Sequence, residues 1–183
     1  QKEKDSHIWV DIYQYYYKDA SYGNQLLNYQ NRPNNAGMIN QIANCEKRNK
    51  FIIDLVKKHY LENRKILILT ERLSQVAYLY ENIESLQYPV GKYCGGMKQV
   101  QLDKSLEKDI LVGTYTMIEE GFDCPKLDTL IMATPKSSIE QSVGRILRKK
   151  PSERIIPPLI IDVVDMFSTY SNKGLVRRKY YKK

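Results

Sequence analysis

The sequence predicts an α/β protein in which a parallel β-sheet is covered by helices on both faces. Two observations lead to this prediction. Short apolar runs rich in Ile, Leu and Val lack polar alternation, as strands buried on both faces do. Segments of helical periodicity stand between these runs, and alternating strands and helices build parallel sheets. The length of 183 residues is that of one ordinary domain.

The first third of the chain contains one strand, one loop and a helical segment. Residues 8–17 are β-branched and aromatic and predict a strand. The Asn-rich stretch from 22 to 37 predicts a loop or a broken helix. Apolar residues recur at helical spacing from Met38 to Tyr60, which predicts one long helix or two joined helices.

The remaining elements alternate regularly up to Met166. The predicted strands are 65–70, 90–94, 109–114, 129–133 and 159–165, and the helices between them are 73–83, 100–106 and 137–148. Asp162 and Asp165 lie on the last strand with no loop beside them, so we interpret both as structural. The segment after Met166 has no apolar periodicity and predicts a basic tail. The predicted organisation is a leading strand and loop at 1–37, an α/β domain at 38–166 and a tail at 167–183.

The net charge of +8 lies entirely in the last 39 residues. Residues 1–144 hold 18 basic and 18 acidic side chains, whereas residues 145–183 hold 11 basic and 3 acidic ones. This asymmetry indicates a local contact with a polyanion such as nucleic acid. A solvated tail that aids solubility is the alternative.

Several classes of protein are excluded by what the sequence lacks. No apolar run approaches the roughly 20 residues of a membrane span. Cys45, Cys94 and Cys124 are too few and too widely spaced for a disulfide framework or a zinc pattern, and they predict free thiols inside a cell. His7 and His59 lack metal-ligand spacing, so no metal site is predicted. Because no Met opens the chain, we expect a fragment or a processed piece.

The most informative segment runs from Gln141 to Arg148. Positions 141, 145 and 148 fall on one face of the predicted helix, which brings an amide and the guanidinium groups of Arg145 and Arg148 together. Guanidinium binds phosphate oxygens in a planar fork and stays charged, so the pair suits a triphosphate. Gly144 permits close approach of a ligand at that turn. A solvated basic helix face is the alternative.

Three loops at the carboxyl ends of strands carry further candidates. In parallel sheets, ligands bind at this edge. The loop after Thr114 contains Gly121, where the chain can turn sharply, Asp123 as an acceptor, and Pro125 to stop a helix. The other two loops supply a hydroxyl and free backbone amides for phosphate, at Thr70 with Arg72 and at Gly95 with Gly96.

Taken together and in this order, these segments resemble the second RecA-like domain of superfamily 2 helicases and translocases. The resemblance covers about residues 38–166. The run from Ile66 to Thr70 resembles motif IV, Thr114 to Pro125 resembles motif V, and Gln141-x-x-Gly144-Arg145-x-x-Arg148 resembles motif VI. The residue sequences of motifs V and VI are similar to those of the DNA repair and transcription helicase branch, which includes proteins of large DNA viruses.

The resemblance implies a role for each matching residue. Arg145 and Arg148 would be arginine fingers. The nucleotide would be contacted by Gln141, Gly121, Asp123 and Gly144. Nucleic acid, with DNA favoured over RNA, would contact motif residues and the tail, at Thr70, Arg72, Gly95, Gly96, Thr114, Arg177, Arg178 and Lys179. ATP with Mg²⁺ would be held mainly by a first RecA-like domain of the same protein.

A complete motor needs a phosphate-binding Gly-x-x-x-x-Gly-Lys-Ser/Thr loop and an acidic box for magnesium, and this sequence has neither. We therefore expect no ATP hydrolysis by this chain alone. Two other functions remain open: a stand-alone nucleic-acid-binding module with a vestigial nucleotide site, and a protein-interaction platform. The direction of movement along the strand is also open, as is the choice between unwinding and translocation. The location can be cytoplasmic, nuclear or at a viral replication site.

Overall fold

The computed structural model describes residues 8–146, residue 153 and residues 156–182, without the side chains of Arg145 and Ile146. Helices and strands alternate after the first helix pair. In chain order the elements are β1 (Trp9–Tyr15), α1 (Asn35–Asn44), α2 (Glu46–Leu61), β2 (Ile66–Thr70), α3 (Leu73–Ser85), β3 (Val90–Tyr93), α4 (Gln99–Leu106), β4 (Ile110–Thr114), α5 (Tyr115–Glu119), β5 (Thr129–Met132), α6 (Glu140–Ile146), β6 (Leu159–Asp165) and α7 (Tyr170–Tyr181).

The six strands of the described chain form one sheet in the order β1-β6-β5-β2-β4-β3, and every pair is parallel. After β2 the chain builds β3 and β4 on one side, then crosses to build β5 on the other side of β2. Parallel neighbours need such crossovers, which the helices supply. The predicted parallel α/β architecture is confirmed.

Apolar side chains of successive strand residues point to opposite faces, so the sheet has a core on each side. One core joins α2 and α3 to strand residues such as Ile66, Ile68 and Ile110. The other joins α5 and α6 to Leu67, Leu69 and their neighbours. Burial on both faces explains why β2 and β4 are apolar throughout, and all of their residues are buried.

The acids of β6 face opposite sides of the sheet, and each forms a buried ion pair. Asp165 accepts from Arg48 of α2, with Nε–Oδ1 at 2.7 Å and Nη2–Oδ2 at 2.9 Å. Asp162 accepts from Arg177 of α7. Buried charges of this kind require partners. The interpretation of Asp162 and Asp165 as structural residues is confirmed.

The basic tail predicted after Met166 is wrong, because most of this segment is the helix α7, packed on β6. Its inward residues are Tyr170, Gly174 and Arg177, all buried. A Cβ on Gly174 would lie 2.6 Å from Cγ1 of Val164, so this glycine is what allows α7 to approach β6. The segment therefore completes the domain.

The predicted strand and loop at the start of the chain are also part of the same fold. β1 pairs along its whole length with β6. Residues 38–60 were predicted to form one long helix or two joined helices, and the structure has two. Cys45, between α1 and α2, has an extended conformation with ψ of 104°. The loop before α1 ends at Asn34, whose side chain accepts from the Gly37 backbone N–H at 3.0 Å and caps the helix.

Candidate functional site

The carboxyl ends of β2, β4 and β5 lie side by side at the centre of one sheet edge. Thr70 and Thr114 are paired neighbours in the register, and Ala133 donates from its N–H to the Leu69 carbonyl at 2.8 Å. The direction in which the chain adds strands reverses here, between β4 and β5, on either side of β2. Such a reversal is where open α/β sheets bind ligands.

Thr70 is fully buried, so the expectation that it contacts a nucleic-acid backbone directly is wrong. Its hydroxyl donates to Oε1 of Gln75 and accepts from the Arg72 backbone N–H at 3.1 Å. Gln75 in turn donates to Oδ1 of Asn49 at 2.8 Å. Thr70 therefore holds the turn after β2 in place, and the residues that follow it present the surface.

Arg72 and the Gly95-Gly96 pair lie on that surface. Nε of Arg72 donates to Oδ1 of Asn40 at 2.7 Å, and Nη2 donates to the Ala36 carbonyl at 3.3 Å, which ties this guanidinium to α1. Gly95 and Gly96 follow β3, are exposed, and leave open space around the positions that a Cβ would take. Backbone amides at such a turn are accessible to a phosphate.

The motif V segment begins at the end of β4 with a short helix. Thr114 is 8% exposed, so only its edge reaches the surface. The helix α5 ends at Glu119, well before Pro125, and the chain turns at Gly121 with φ of +108°. Beyond the turn, Phe122 and Cys124 are buried and Asp123 is exposed. Burial raises the pKa of the Cys124 thiol.

Lys136 connects the motif V segment to the segment that leads into motif VI. Its Nζ lies 2.7 Å from Oε1 of Glu119 and 4.8 Å from the centre of the Tyr115 ring. Its carbonyl accepts from Nη1 of Arg177 at 3.0 Å. Sequence reasoning gave Lys136 no role, and no sequence motif points to its pairing with Glu119.

The helix α6 carries the start of motif VI on its uncovered face. Ser142 and Val143 are buried, whereas Gln141 and Gly144 are exposed, and a Cβ on Gly144 would meet open space. Arg145 stands one helical turn after Gln141, in the last turn of α6. Its side chain, and the whole of Arg148, lie outside the described residues.

The three predicted nucleic-acid residues of α7 do not form one surface. Arg177 is 1% exposed and paired with Asp162, so it is unavailable to an external phosphate and that expectation is wrong. Arg178 and Lys179 are exposed. In a helix, neighbouring residues point in different directions, which explains the separation.

Within residues 8–146, 153 and 156–182, no group of three or more His, Cys, Asp or Glu side chains could hold a metal ion. None of the helices in that part of the chain is long and apolar enough to cross a membrane. Cys45, Cys94 and Cys124 are buried free thiols.

The family model described as "Helicase conserved C-terminal domain" matches residues 47–150, more than half of the chain. Two viral relatives are similar. The candidate ATP-dependent RNA helicase L396 of Acanthamoeba polyphaga mimivirus is 37% identical over 190 residues, which cover all of this chain and 36% of that protein. The candidate helicase 161L of Invertebrate iridescent virus 6 is 32% identical over 168 residues, covering 81% of this chain and 36% of that protein.

The chain spans about a third of the length of these relatives. Since L396 is named for RNA, the names of the relatives give no support to a preference for DNA. Among solved structures, T4 UvsW superposes with a TM-score of 0.71 at 20% identity, over 96% of this chain and 39% of that one. The Pyrococcus furiosus Hef helicase domain gives 0.55 at 16% identity, over 78% and 31%. These superpositions show the shared fold.

The sheet, the motif order along its carboxyl edge and the matched family agree on one assignment. The chain belongs to the helicase conserved C-terminal domain family and has the α/β RecA-like fold that it shares with T4 UvsW.

Proposed function

We propose that this chain is the C-terminal motor domain of an ATP-dependent nucleic-acid helicase or translocase and works against a first RecA-like domain of the same protein. The observation that carries the proposal is the clustering of the motif IV, V and VI segments around one edge of the sheet, at the ends of β2, β4 and β5. An uncovered polar face of α6 belongs to that cluster.

The residues of α6 and of the motif V turn fit a nucleotide. Gln141 and Gly144 are exposed on one face of α6, and neither Gly144 nor Gly121 has an atom within 4 Å of the position that a Cβ would take. Bound ATP with Mg²⁺ would supply a γ-phosphoryl group for transfer to water. Arg145 and Arg148 would stabilise the charge that develops on it, and Gln141 and Asp123 would position the nucleotide.

The nucleic-acid strand would lie across the turns after β2, β3 and β4. Arg72 would contribute a charge, Gly95 and Gly96 would contribute backbone amides, and the edge of Thr114 would line the track. Thr70 would act only by holding the turn. We propose no preference between DNA and RNA. Stimulation of the full-length ATPase by single-stranded DNA, double-stranded DNA and RNA, compared at equal salt, identifies the substrate.

The arginine role is tested by Arg148→Ala in the full-length protein. We expect ATPase activity to be abolished while nucleic-acid binding is retained. Lys50→Ala, which removes an exposed cation of α2 with no assigned role, is the control and should retain ATPase activity. Normal ATPase activity in Arg148→Ala would refute the proposed role of this arginine.

A second assay addresses the chain by itself. The isolated chain should show no magnesium-dependent ATP hydrolysis, because it carries no Gly-x-x-x-x-Gly-Lys-Ser/Thr phosphate loop. Substantial turnover by the isolated chain would contradict the proposal that a first domain supplies the phosphate-binding parts. A full-length protein that binds nucleic acid without hydrolysing ATP would instead favour a stand-alone binding module.

A further inference from the structure

A short loop between β1 and α1 displays a tyrosine to solvent. Tyr29 is 93% exposed, the most exposed of the large hydrophobic side chains in the described part of the chain. A ring of this size gains free energy when it is buried, and its near-complete exposure leaves both faces available to a partner.

The loop that carries Tyr29 is ordered by its own hydrogen bonds. Leu27 and Pro33 form an antiparallel bridge at its base, and the Asn28 N–H donates to the Arg32 carbonyl at 2.8 Å. Oδ1 of Asn28 accepts from the backbone N–H groups of Gln30 at 2.9 Å and of Arg32 at 3.1 Å. Asparagine side chains stabilise turns in this way. The loop therefore holds Tyr29 outward by its own structure.

The base of the loop lies against the same end of α1 that Arg72 contacts. The Asn34 N–H donates to the Leu26 carbonyl at 2.7 Å, immediately before α1 begins. Arg72 donates to the Ala36 carbonyl and to Asn40, within the first two turns of α1. The tip of the loop is two or three residues beyond its base, a reach of roughly 10 Å. The loop is thus an immediate neighbour of the motif IV turn.

The chemistry of this surface favours nucleic acid over a protein or a cationic partner. Between Asp19 and Glu46 the chain contains no carboxylate, and its one charged side chain is Arg32. Amide side chains flank Tyr29 in the sequence, at Asn28, Gln30 and Asn31, and amides can hydrogen-bond the edges of bases. Apart from Tyr29 itself, Leu27 and Pro33, residues 27–33 offer no apolar side chain with which a protein could form a hydrophobic contact.

We propose that Tyr29 stacks on an unpaired base of the nucleic-acid strand that lies along the carboxyl edge of the sheet, with Arg32 near its phosphate. This inference rests on the proposed function, because it requires a strand at that edge. Base stacking on an aromatic ring is tolerant of sequence, so the loop adds affinity for single strands of any sequence.

The test uses the full-length protein and a fluorescently labelled single-stranded oligonucleotide, with binding followed by anisotropy. Tyr29→Ala should weaken binding by about 5- to 150-fold, the range for one stacked base, and Tyr29→Phe should bind within about twofold of wild type. The slope of log affinity against log salt should be unchanged in Tyr29→Ala, because stacking neutralises no phosphate. Tyr16→Ala, which removes another exposed tyrosine at 56% exposure, should bind like wild type.

A blunt duplex of the same length is the second probe, because its bases offer no free face for stacking along their length. Tyr29→Ala should bind this duplex as wild type does. Equal single-strand affinity of Tyr29→Ala and wild type would overturn the stacking role alone. An equal loss in Tyr29→Phe, or an equal loss on the duplex, would also overturn it. Absence of any nucleic-acid binding by the wild-type protein would overturn the proposed function together with this inference.

Discussion

Arg177 and Asp162 form a bidentate ion pair inside the protein, with Nε–Oδ2 at 2.9 Å and Nη2–Oδ1 at 2.8 Å. Both side chains are 1% exposed, and the hydroxyl of Tyr181 donates to the same carboxylate at 2.8 Å. Nη1 of Arg177 reaches the Lys136 carbonyl. One arginine of α7 thus joins β6 to the segment that leads into motif VI.

Replacement of Arg177 by Ala should lower the free energy of unfolding by about 3–5 kcal/mol, because it leaves the Asp162 carboxylate buried without its cation. Urea unfolding followed by circular dichroism measures this. Arg178→Ala removes the same side chain from the next, exposed position and should change stability by less than about 0.5 kcal/mol. Equal stability of the two variants would contradict the buried pair.

Charge on α7 can be tested without disturbing the helix. Neutralising Arg178 and Lys179 together to Gln should leave stability near wild type, because both side chains are exposed. If they contact phosphates, single-strand affinity falls, and the slope of log affinity against log salt decreases by about 1–2. Unchanged affinity and slope would show that these charges are only solvated.

Deletion of residues 171–183, by contrast, is expected to unfold the domain, because it removes most of α7.

Gly→Ala substitutions at Gly144, in the candidate site, and at Gly113, in the core sheet, should change the free energy of unfolding in opposite directions. Gly144→Ala should raise the free energy of unfolding by about 0.5–1 kcal/mol, because alanine is the better helix former and the added Cβ meets open space. Gly113→Ala should lower it by about 1–3 kcal/mol, because its Cβ would lie 2.5 Å from the Tyr93 carbonyl oxygen.

The same Gly144→Ala variant separates stability from activity in the full-length protein. If a nucleotide approaches this turn closely, ATPase activity should fall at least tenfold although the domain is more stable. A thermal melt and a steady-state ATPase assay on one preparation give both numbers. Full activity would show that the close approach at Gly144 is not used.

High pH should destabilise the protein. Burial raises the pKa of Tyr15 to about 12, and burial together with Asp165 raises that of Tyr22 above the ordinary value of 10. Between these values the unfolded chain has lost phenol protons that the folded chain retains, so the free energy of unfolding should fall as pH rises from about 10 toward 12. Chemical denaturation at pH 8, 10 and 11 measures it, and Tyr22→Phe should reduce the slope above pH 10.

The strands, and the sheet edge where the candidate residues gather, could be predicted because both follow from local pattern. A run such as Ile66–Leu69 is apolar on both faces only in a doubly covered sheet. Parallel strands then necessarily bring their carboxyl ends to one edge. The break at Cys45 could not be predicted, since helical periodicity continues through it and only the backbone conformation separates α1 from α2.

The helix α7 was missed because its inward face is not aliphatic. Tyr170, Gly174 and Arg177 repeat at helical spacing, but a glycine and an arginine give no hydrophobic stripe. The burial of Thr70 was equally invisible, because it depends on Gln75 and on Asn49, which lies on a different helix. A useful signal was present in Asp162, since an acid on a buried strand predicts a cation elsewhere in the chain.

The pairing of β1 with β6 has a consequence for folding during synthesis. Trp9 is aligned with Leu159, so the first strand of this domain to be synthesised gains a neighbour only when the last strand of the domain has been synthesised. β6 also lies between β1 and β5, so both remain open-edged during synthesis. Contacts this distant in sequence slow folding, and exposed strand edges attract other chains. We expect nascent chains that stop before residue 159 to need a chaperone, whereas those that reach residue 182 can close the sheet themselves.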